Sequence, residues 1–213
     1  MLAGSLEEWL PHFRTLEERV IAAVEAAWPV CIAPLQSRKN EMTHEDHITE
    51  HLVQRLIRTK QQLPGRILYQ HTLLSEAEDG LVSISSKIDF VLTVGDDEDV
   101  YLACECKRLN VPYANGTRGL VGPYVDDGLM RFVSGQYSNG LPLAMMLGYV
   151  MNAHSERAQR GVRRAIALRA TQLGLRAQHD VVTIAGQPLR FRSEHQSQSG
   201  EIIEVVHSLL AWL

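Results

Sequence analysis

Two consecutive apolar segments separated by one turn constrain the fold of this chain more than any other feature. The first runs from Lys87 to Val94 and the second from Val100 to Leu109, and both are short and rich in β-branched or other apolar residues. Gly95 and the two aspartates after it are typical of a turn. We therefore expect two neighbouring antiparallel strands.

Helices are predicted before these strands. Residues 6–27 carry apolar side chains at every third or fourth position. A second helix is predicted to begin at the N-cap residue Thr43 and to run to about Lys60. A strand from Arg66 to Leu74 then completes a three-stranded meander.

Helices and strands alternate in the remainder of the chain. The predicted order is a glycine-containing loop, a helix over 124–138, a strand over 143–151, a helix over 155–178, and strands over 181–184, 190–196 and 202–210. This order predicts an α/β sandwich in which helices flank a mixed central β-sheet. We expect a single domain over residues 1–213, with residues 1–40 as an N-terminal helical extension packed on it.

The composition indicates an ordinary globular protein. Of the 213 residues, 45% are hydrophobic and 22% are charged. No apolar stretch is long enough to span a bilayer, and Glu7 and Glu8 occupy positions where a secretory signal has basic and then apolar residues. Three cysteines are too few for a disulfide framework. We therefore expect a cytoplasmic protein with no membrane association.

Three of the charged residues in the two apolar segments are candidates for chemistry. Asp89 lies in the first, and Glu105 and Lys107 lie in the second and share one face because side chains alternate along a strand. An exposed Glu-x-Lys pair is usually a surface ion pair worth ~0–1 kcal/mol. Here the neighbours are apolar on both faces, and burying an unpaired charge is costly. This pattern favours a functional cluster, to which a hairpin would also bring Asp89.

Such a cluster has the donors that Mg²⁺ prefers. Magnesium takes oxygen ligands, commonly one or two carboxylates completed by water and phosphate oxygens. Asp89, Glu105 and the backbone carbonyl of Cys106 are the predicted metal ligands, with Mn²⁺ as a substitute ion. A bound metal would activate water and neutralise charge on a phosphate, while Lys107 would hold the water and a phosphate oxygen.

The segment from Lys87 to Leu109 resembles the core of the PD-(D/E)XK nuclease superfamily. The order of predicted elements agrees with that superfamily from Thr43 to Met151, although Ile88 stands where the family name has proline. The resemblance implies a restriction-endonuclease-like fold and metal-dependent cleavage of phosphodiester bonds, usually in DNA. It also suggests a role in restriction or phage defence, with Asp89, Glu105 and Lys107 as catalytic residues.

Glu45 is predicted to support this site. It falls on the same helical stripe as Ile48 and Leu52, whereas Glu50 lies at the edge of that stripe. We expect Glu45 to point toward the sheet as a metal or water ligand. The alternative is an acidic residue that merely favours the first turn of its helix through the helix dipole.

Gln136 is a second candidate for a supporting role. It continues the apolar stripe of Leu129 and Val133 on the helix predicted over 124–138. In that position it could orient a phosphate or a catalytic group. The alternative is a hydrogen-bonded amide of the core.

Four arginines are candidate nucleic-acid contacts. Arg157, Arg160 and Arg164 share one face of a predicted helix, and Arg192 lies on a late strand. A solvated surface is the alternative for all of them. Because the chain has 21 Lys and Arg against 25 Asp and Glu, we expect weak binding by a monomer and a need for a homodimer or a separate sensor or targeting protein.

Two other functions remain open from the sequence alone. The chain could be a catalytically inactive subunit of nuclease fold that binds nucleic acid or serves in assembly. It could also be an enzyme of unrelated chemistry in which Glu105 and Lys107 pair for structural reasons. The presence of all three residues, Asp89, Glu105 and Lys107, argues against an inactive subunit, because a degenerate site usually loses one of them. Manganese bound between Asp89 and Glu105 would distinguish the nuclease from both alternatives.

Overall fold

A computed structural model describes residues 5–37, 44–59, 63–76, 81–93, 100–183 and 186–212. The helices in these ranges are α1 (Leu6–Gln36), α2 (Glu45–Arg58), α3 (Val121–Tyr124), a π-helical segment (Val125–Leu129), α4 (Met130–Val133) and α5 (Ser155–Leu168). The strands are β1 (Arg66–Glu76), β2 (Val82–Thr93), β3 (Tyr101–Leu109), β4 (Val111–Tyr113), β5 (Gly116–Arg118), β6 (Leu143–Val150), β7 (Leu175–Asp180), β8 (Leu189–Gln196) and β9 (Ile202–Ala211).

Seven of these strands form one mixed sheet. Their order is β1-β2-β3-β6-β9-β8-β7, and β4 and β5 form a separate hairpin. The central strands β3, β6 and β9 run parallel to one another, while the neighbours on both sides pair antiparallel. The predicted α/β class with a mixed central sheet is therefore confirmed.

Helices cover both faces of this sheet. On one face, Trp28 of α1 stacks on Tyr149 of β6 with ring centroids 5.2 Å apart. On the other face, the guanidinium of Arg163 in α5 lies 5.5 Å from the centre of the Phe191 ring. No helix among the described residues combines the length and the apolar character needed to cross a membrane.

The helix α1 is longer than predicted. Its apolar stripe does not stop at Ala27, because the buried Cys31, Ile32 and Leu35 continue it. Its N-terminus is closed by a capping box, in which the Ser5 side chain accepts from the backbone of Glu8 and the Glu8 carboxylate accepts from the backbone of Ser5. This stripe fixes the helix against the sheet for most of its length.

The start of α2 is displaced from its predicted position. The predicted N-cap, Thr43, lies outside the described residues, and the helix begins at Glu45 after His44. Its predicted apolar stripe is confirmed, since Ile48, Leu52 and Leu56 are fully buried.

The predicted helix over 155–178 is too long. It ends at Leu168, and residues 175–180 form β7 instead. Residues 169–174 are in turns, and Gly174 leads directly into β7 with a positive φ of 53°, at a place where an added Cβ would lie 2.3 Å from the carbonyl oxygen of Gln196. The predicted strand over 181–184 is wrong, since residues 181–183 are not in a strand and residue 184 lies outside the described ranges.

The predicted helix over 124–138 is also different in the structure. It contains the π-helical segment, ends at Val133, and is followed by Gly135 with a positive φ of 75°. Gly128 in the π-helical segment packs closely on the sheet, because an added Cβ would lie 2.7 Å from Met146 Cε and 3.4 Å from Lys107 Cγ. This close approach brings the helical segment onto β3.

Candidate active site

The candidate site lies where β2 and β3 separate. The two strands pair only between Phe90–Thr93 and Tyr101–Cys104, whereas β3 continues beside β6 as far as Leu109. The register, continued by one residue, places Asp89 opposite Glu105 on the same face of the sheet. The separation therefore opens one edge of β3 beside two carboxylates.

Two carboxylates take the place of β2 along this edge. The backbone N–H of Cys106 donates to Asp89 Oδ2 at 2.6 Å. The backbone N–H of Arg108, two residues further on the same edge, donates to Glu45 Oε2 at 2.8 Å. Because a buried backbone donor without a partner is destabilising, these hydrogen bonds make the separation of the strands tolerable.

Lys107 joins the cluster together. Its Nζ donates to Glu105 Oε1 at 2.7 Å, to Glu45 Oε1 at 3.0 Å and to the carbonyl oxygen of Cys106 at 3.1 Å. The side chain of Glu105 is only 1% exposed and that of Lys107 13% exposed. The structure thus brings together Asp89, Glu105, Lys107 and the Cys106 carbonyl, as predicted.

Glu45 also takes its predicted orientation. Its side chain is 27% exposed and contacts Lys107, whereas the Glu50 side chain is 58% exposed. The helical stripe therefore identified the correct carboxylate. A direct role as a metal or water ligand stays a prediction.

The sequence prediction missed Arg131 and Tyr137. Nη1 of Arg131 lies 3.3 Å from Glu105 Oε1 and also donates to the Tyr137 hydroxyl. That hydroxyl donates in turn to the backbone carbonyl of Lys87 on β2. A π turn contains one residue more than an α turn, so the residues after it are rotated out of the ideal helical register. The spacing of apolar residues therefore did not indicate that Arg131 faces the site.

Gln136 does not occupy its predicted position. It lies beyond the end of α4, is exposed, and lines a groove that also contains His71 and Tyr101. Within the described part of the chain, no hydrogen bond joins its side chain to Glu105 or Lys107. The stripe assumed a continuous helix to residue 138, which the turn at Gly135 ends early.

Burial dominates the electrostatics of the cluster. Burial, reinforced by the charge of Asp89, raises the pKa of Glu105 to about 7, and burial raises the pKa of Asp89 to about 6. Burial opposes the charged form of Lys107, but the carboxylates of Glu105, Glu45 and Asp89 together raise its pKa above the ordinary value. Lys107 therefore remains an ammonium across the physiological range.

The donor set suits a hydrated magnesium ion better than a closed metal centre. Among the described residues, no group of three or more His, Cys, Asp or Glu side chains is arranged to hold a metal. The predicted set is smaller, with two carboxylates and one backbone carbonyl, and magnesium commonly keeps several waters beside so few protein ligands. Oε2 of Glu105 is buried and has no hydrogen-bond partner in the described ranges, which is the condition of an oxygen that a cation would satisfy.

The predicted basic contacts separate into two groups. Arg157, Arg160 and Arg164 are exposed on α5, and Arg160 pairs with Glu156 at 3.6 Å. Their exposure is compatible with the predicted contacts but does not test them.

Arg192 belongs to an internal ion cluster instead. Its guanidinium contacts the carboxylates of Glu17 and Glu204, both nearly fully buried, and its own side chain is 18% exposed. This arrangement contradicts the predicted phosphate contact. Arg192 lies beneath α1, and the carboxylates of Glu17 and Glu204 already neutralise its charge.

Comparison of the chain with protein-family models, with curated proteins and with solved structures finds no match.

Proposed function

We propose that this protein is a metal-dependent nuclease of the PD-(D/E)XK type that hydrolyses phosphodiester bonds, with DNA as the expected substrate. One observation carries the proposal: Asp89, Glu105 and Lys107 converge at the point where β2 and β3 separate. A purely structural ion pair would not require Asp89 beside it, nor a strand edge held open by carboxylates. The order of α2, the meander β1–β3, the α3–α4 segment and β6 supports the finer proposal of a restriction-endonuclease-like fold.

The residues present fit a magnesium ion, with Mn²⁺ as a substitute. Asp89, Glu105 and the Cys106 carbonyl would hold it, since all are hard oxygen donors at one place and one oxygen of Glu105 lacks a partner. When bound, the ion supplies a water of lowered pKa and neutralises charge that develops on the phosphate.

The chain's own residues have distinct tasks around that ion. Lys107 acts as a positive charge that positions the attacking water and a phosphate oxygen, because the neighbouring carboxylates raise its pKa and favour the ammonium form. Glu45 holds the ammonium of Lys107 in place. Arg131 holds Glu105 through its Oε1 and leaves Oε2 for another partner.

Cleavage assays test the proposal. Plasmid, linear duplex and single-stranded DNA would be incubated with the protein in Mg²⁺, Mn²⁺ or EDTA, in parallel with Glu105→Gln. We expect cleavage that requires the metal and is lost in the variant. Cleavage of none of these substrates with either metal, or equal cleavage by the variant, would contradict it.

A catalytically inactive nuclease-fold subunit is the second candidate. It is favoured by the closed set of ion pairs, in which Lys107 bonds to both Glu45 and Glu105. Such a subunit would bind nucleic acid without cleaving it in either metal. The same assays, combined with a binding measurement, separate the two functions.

The proposal extends to the setting in which the enzyme works. All three cysteines, Cys31, Cys104 and Cys106, are buried thiols without disulfides, which supports a cytoplasmic location. We place the enzyme in restriction or phage defence, acting as a homodimer or with a targeting protein. The exposed apolar side chains of Leu74, Val82 and Ile84 support such an association.

A further inference from the structure

The β4–β5 hairpin projects from the end of the strand that carries the cluster. Asn110 has a positive φ of 51° and turns the chain out of β3, and its backbone N–H donates to the carbonyl of Gly119 at 3.2 Å. This bond closes the base of the hairpin, whose strands pair with each other and with none of the other described strands. Nearly all of the hairpin residues are exposed. The hairpin is therefore an arm fixed beside the candidate active site.

The arm has a charge unlike that of the whole chain. Residues 111–118 contain one cation, Arg118, and no Asp or Glu, although the net charge of the chain is −4. Arg118, the cation on β5, is exposed and forms no ion pair within the described residues. A local positive surface in an acidic protein is the pattern expected where a polyanion binds.

Tyr113 gives this surface an aromatic ring. Its side chain is 53% exposed, so core packing does not account for it. Tyr113 pairs with Gly116 across the hairpin, and Gly116 has a φ of 146°. The tyrosine hydroxyl lies over this glycine, 3.5 Å from the position that a Cβ atom would occupy. The ring thus lies across the turn of the hairpin with much of its surface open to solvent. Exposed aromatic rings beside cations are the means by which proteins hold unpaired nucleotides.

Arg157 faces the same region from α5. Gly161, one turn further along α5, packs on Val121, where an added Cβ would lie 3.2 Å from Cγ1. Residues four apart share a face of a helix, so Arg157 lies on the face turned toward α3. Because α3 begins shortly after Arg118, both arginines belong to one end of the molecule.

This surface lies within reach of a strand bound at the cluster. The Cα atoms of Lys107 and Val111 are at most about 13 Å apart along an extended chain. Arg118 pairs with Val111 across the hairpin, which adds about 5 Å. The whole span is about five steps of 3.4 Å along one nucleic-acid strand.

We infer that Tyr113, Arg118 and Arg157 form a binding surface for single-stranded nucleic acid beside the cleavage site. Tyr113 stacks on an unpaired base, and the two arginines contact phosphates. A duplex keeps its bases stacked on one another and offers no free face to Tyr113, so the substrate contains unpaired nucleotides next to the scissile bond. The assignment of that bond rests on the proposed nuclease function, whereas the binding surface does not.

Binding in EDTA tests the surface without cleavage. Fluorescence anisotropy would follow labelled single-stranded DNA, single-stranded RNA and a matched DNA duplex with the full chain. We expect a single strand to bind more tightly than the duplex and Tyr113→Ala to weaken its binding by about 5- to 100-fold. Tyr113→Phe keeps the ring and should stay within about twofold of the wild type.

The arginines are tested through salt dependence. Arg118→Ala and Arg157→Ala should each reduce the slope of log affinity against log salt by about 0.7, the value for one contact to a single strand. Arg176 supplies the control, because it is exposed on β7 at the far edge of the sheet. Arg176→Ala should leave both affinity and slope unchanged. Thermal melting confirms that each variant is folded.

Several results would overturn the inference. These are a wild type that binds no single strand, a Tyr113→Ala variant that binds it as tightly as the wild type, and tighter binding of the duplex. Cleavage by a Tyr113→Ala variant with unchanged affinity would reject the surface and leave the nuclease standing. Tyr113-dependent binding without cleavage in Mg²⁺ or Mn²⁺ would reject the nuclease and support the surface.

Discussion

Glu45 binds the ammonium of Lys107 and the strand that carries it at the same time. Its Oε1 accepts from Lys107 Nζ at 3.0 Å and its Oε2 accepts from the backbone N–H of Arg108 at 2.8 Å. The first turn of α2 is therefore tied to β3 at the residue whose direction matters most for the proposed chemistry. Because both carboxylate oxygens of Glu45 are hydrogen-bonded to β3, neither Glu45 nor the ammonium of Lys107 can readily rotate away. This restriction favours a preorganised site.

Lys107→Met should abolish cleavage without unfolding the protein. The methionine keeps the apolar stem but removes the charge that positions water and phosphate, while Glu105 keeps its contact with Arg131. Loss of the ammonium leaves Glu105 less well compensated, so we also expect a lower melting temperature at pH 8 than for the wild type. Nuclease assays and thermal melting on one preparation measure both effects. A variant with wild-type activity would make Lys107 a structural residue.

Magnesium should stabilise the wild type against heat. An ion that binds only the folded state at 100 times its dissociation constant adds about 2.7 kcal/mol to the free energy of unfolding. Asp89→Asn and Glu105→Gln remove a charged ligand and should reduce this gain, whereas Gln136→Ala should keep it. Melting curves with increasing MgCl₂ and constant ionic strength give the comparison. Equal shifts in Asp89→Asn and the wild type would place any bound ion elsewhere.

Arg131, and not Gln136, should prove important for the rate. Arg131 positions Glu105 through its contact at 3.3 Å, and loss of a residue that positions a metal ligand typically costs about 10- to 100-fold in activity or metal affinity. We expect Arg131→Ala to lower kcat within that range and Arg131→Lys to restore part of it, with KM little changed. Gln136→Ala should resemble the wild type. The reverse order of effects would show that the contact in the structure does not govern catalysis.

The sequence predicted the site better than it predicted the elements around it. Strand alternation placed Glu105 and Lys107 on one face, and helical spacing selected Glu45, because both arguments use a local and regular backbone. Gln136 was misplaced and Arg131 was missed, since a π turn changes the helical register and leaves no periodic signal.

Long-range contacts were beyond a periodicity argument. The residues after Leu168 continue a helical pattern in the sequence, yet they form turns, and the backbone of Gly174 packs against Gln196 of β8 where β7 begins. Arg192 resembles a surface arginine in its strand, yet its two carboxylate partners come from α1 and β9. The residues next to Gly174 and Arg192 in the sequence show no pattern that would predict either contact.

A buried chain of hydrogen bonds predicts how stability depends on pH. The Tyr124 hydroxyl contacts His207 Nδ1 at 3.0 Å, His207 Nε2 contacts Ser193 Oγ at 2.8 Å, and Ser193 Oγ contacts His195 Nε2 at 2.7 Å. The chain ends where His195 Nδ1 donates to the carbonyl of Leu173 at 2.9 Å. The carbonyl only accepts, so His195 Nδ1 carries a proton. In the neutral form His195 Nε2 then accepts from Ser193, and His207 Nε2 donates to Ser193. Burial, which lowers the pKa of both histidines, favours this neutral arrangement.

The two histidines should contribute a loss of stability as the pH falls below about 6.5, whereas Asp89 and Glu105, whose pKa values are raised in the folded state, contribute with the opposite sign. Burial lowers the pKa of His195 to about 4, and burial together with His195 and Arg163 lowers that of His207 further below its ordinary value. Between about pH 6.5 and pH 4 the unfolded chain takes up protons that the folded chain does not, which costs about 1.4 kcal/mol per histidine per pH unit. Urea unfolding at pH 7.5, 6 and 5 measures this slope.

A variant assigns the slope to the hydrogen-bonded chain. His195→Leu should be less stable than the wild type at pH 7.5, because the Leu173 carbonyl and the Ser193 hydroxyl lose a partner. Its stability should nevertheless fall less steeply on acidification. An unchanged slope would show that His195 is not a source of the acid sensitivity.

The last prediction concerns self-association. Leu74 and Ile84 face each other across β1 and β2, and Val82 lies two residues from Ile84 on the same side. Their exposed fractions are 66%, 60% and 62%, and β1 is an edge strand of the sheet. An apolar patch at such an edge is a common site of association between chains, and association of two copies would bring two cleavage centres into one assembly.

We therefore expect the wild type to self-associate at micromolar concentration and Ile84→Glu to weaken that association, because the glutamate places a charge within the patch. Val182→Glu is the matched control, since Val182 is 97% exposed between β7 and β8.

Sedimentation velocity measures the association, and the cleavage rate as a function of protein concentration shows whether activity requires it. If association through this patch sets activity, the rate should rise more steeply than in proportion to wild-type concentration and should fall in Ile84→Glu alone. A rate strictly proportional to concentration for a nanomolar monomer, together with unchanged sedimentation of Ile84→Glu, would mean that one chain suffices.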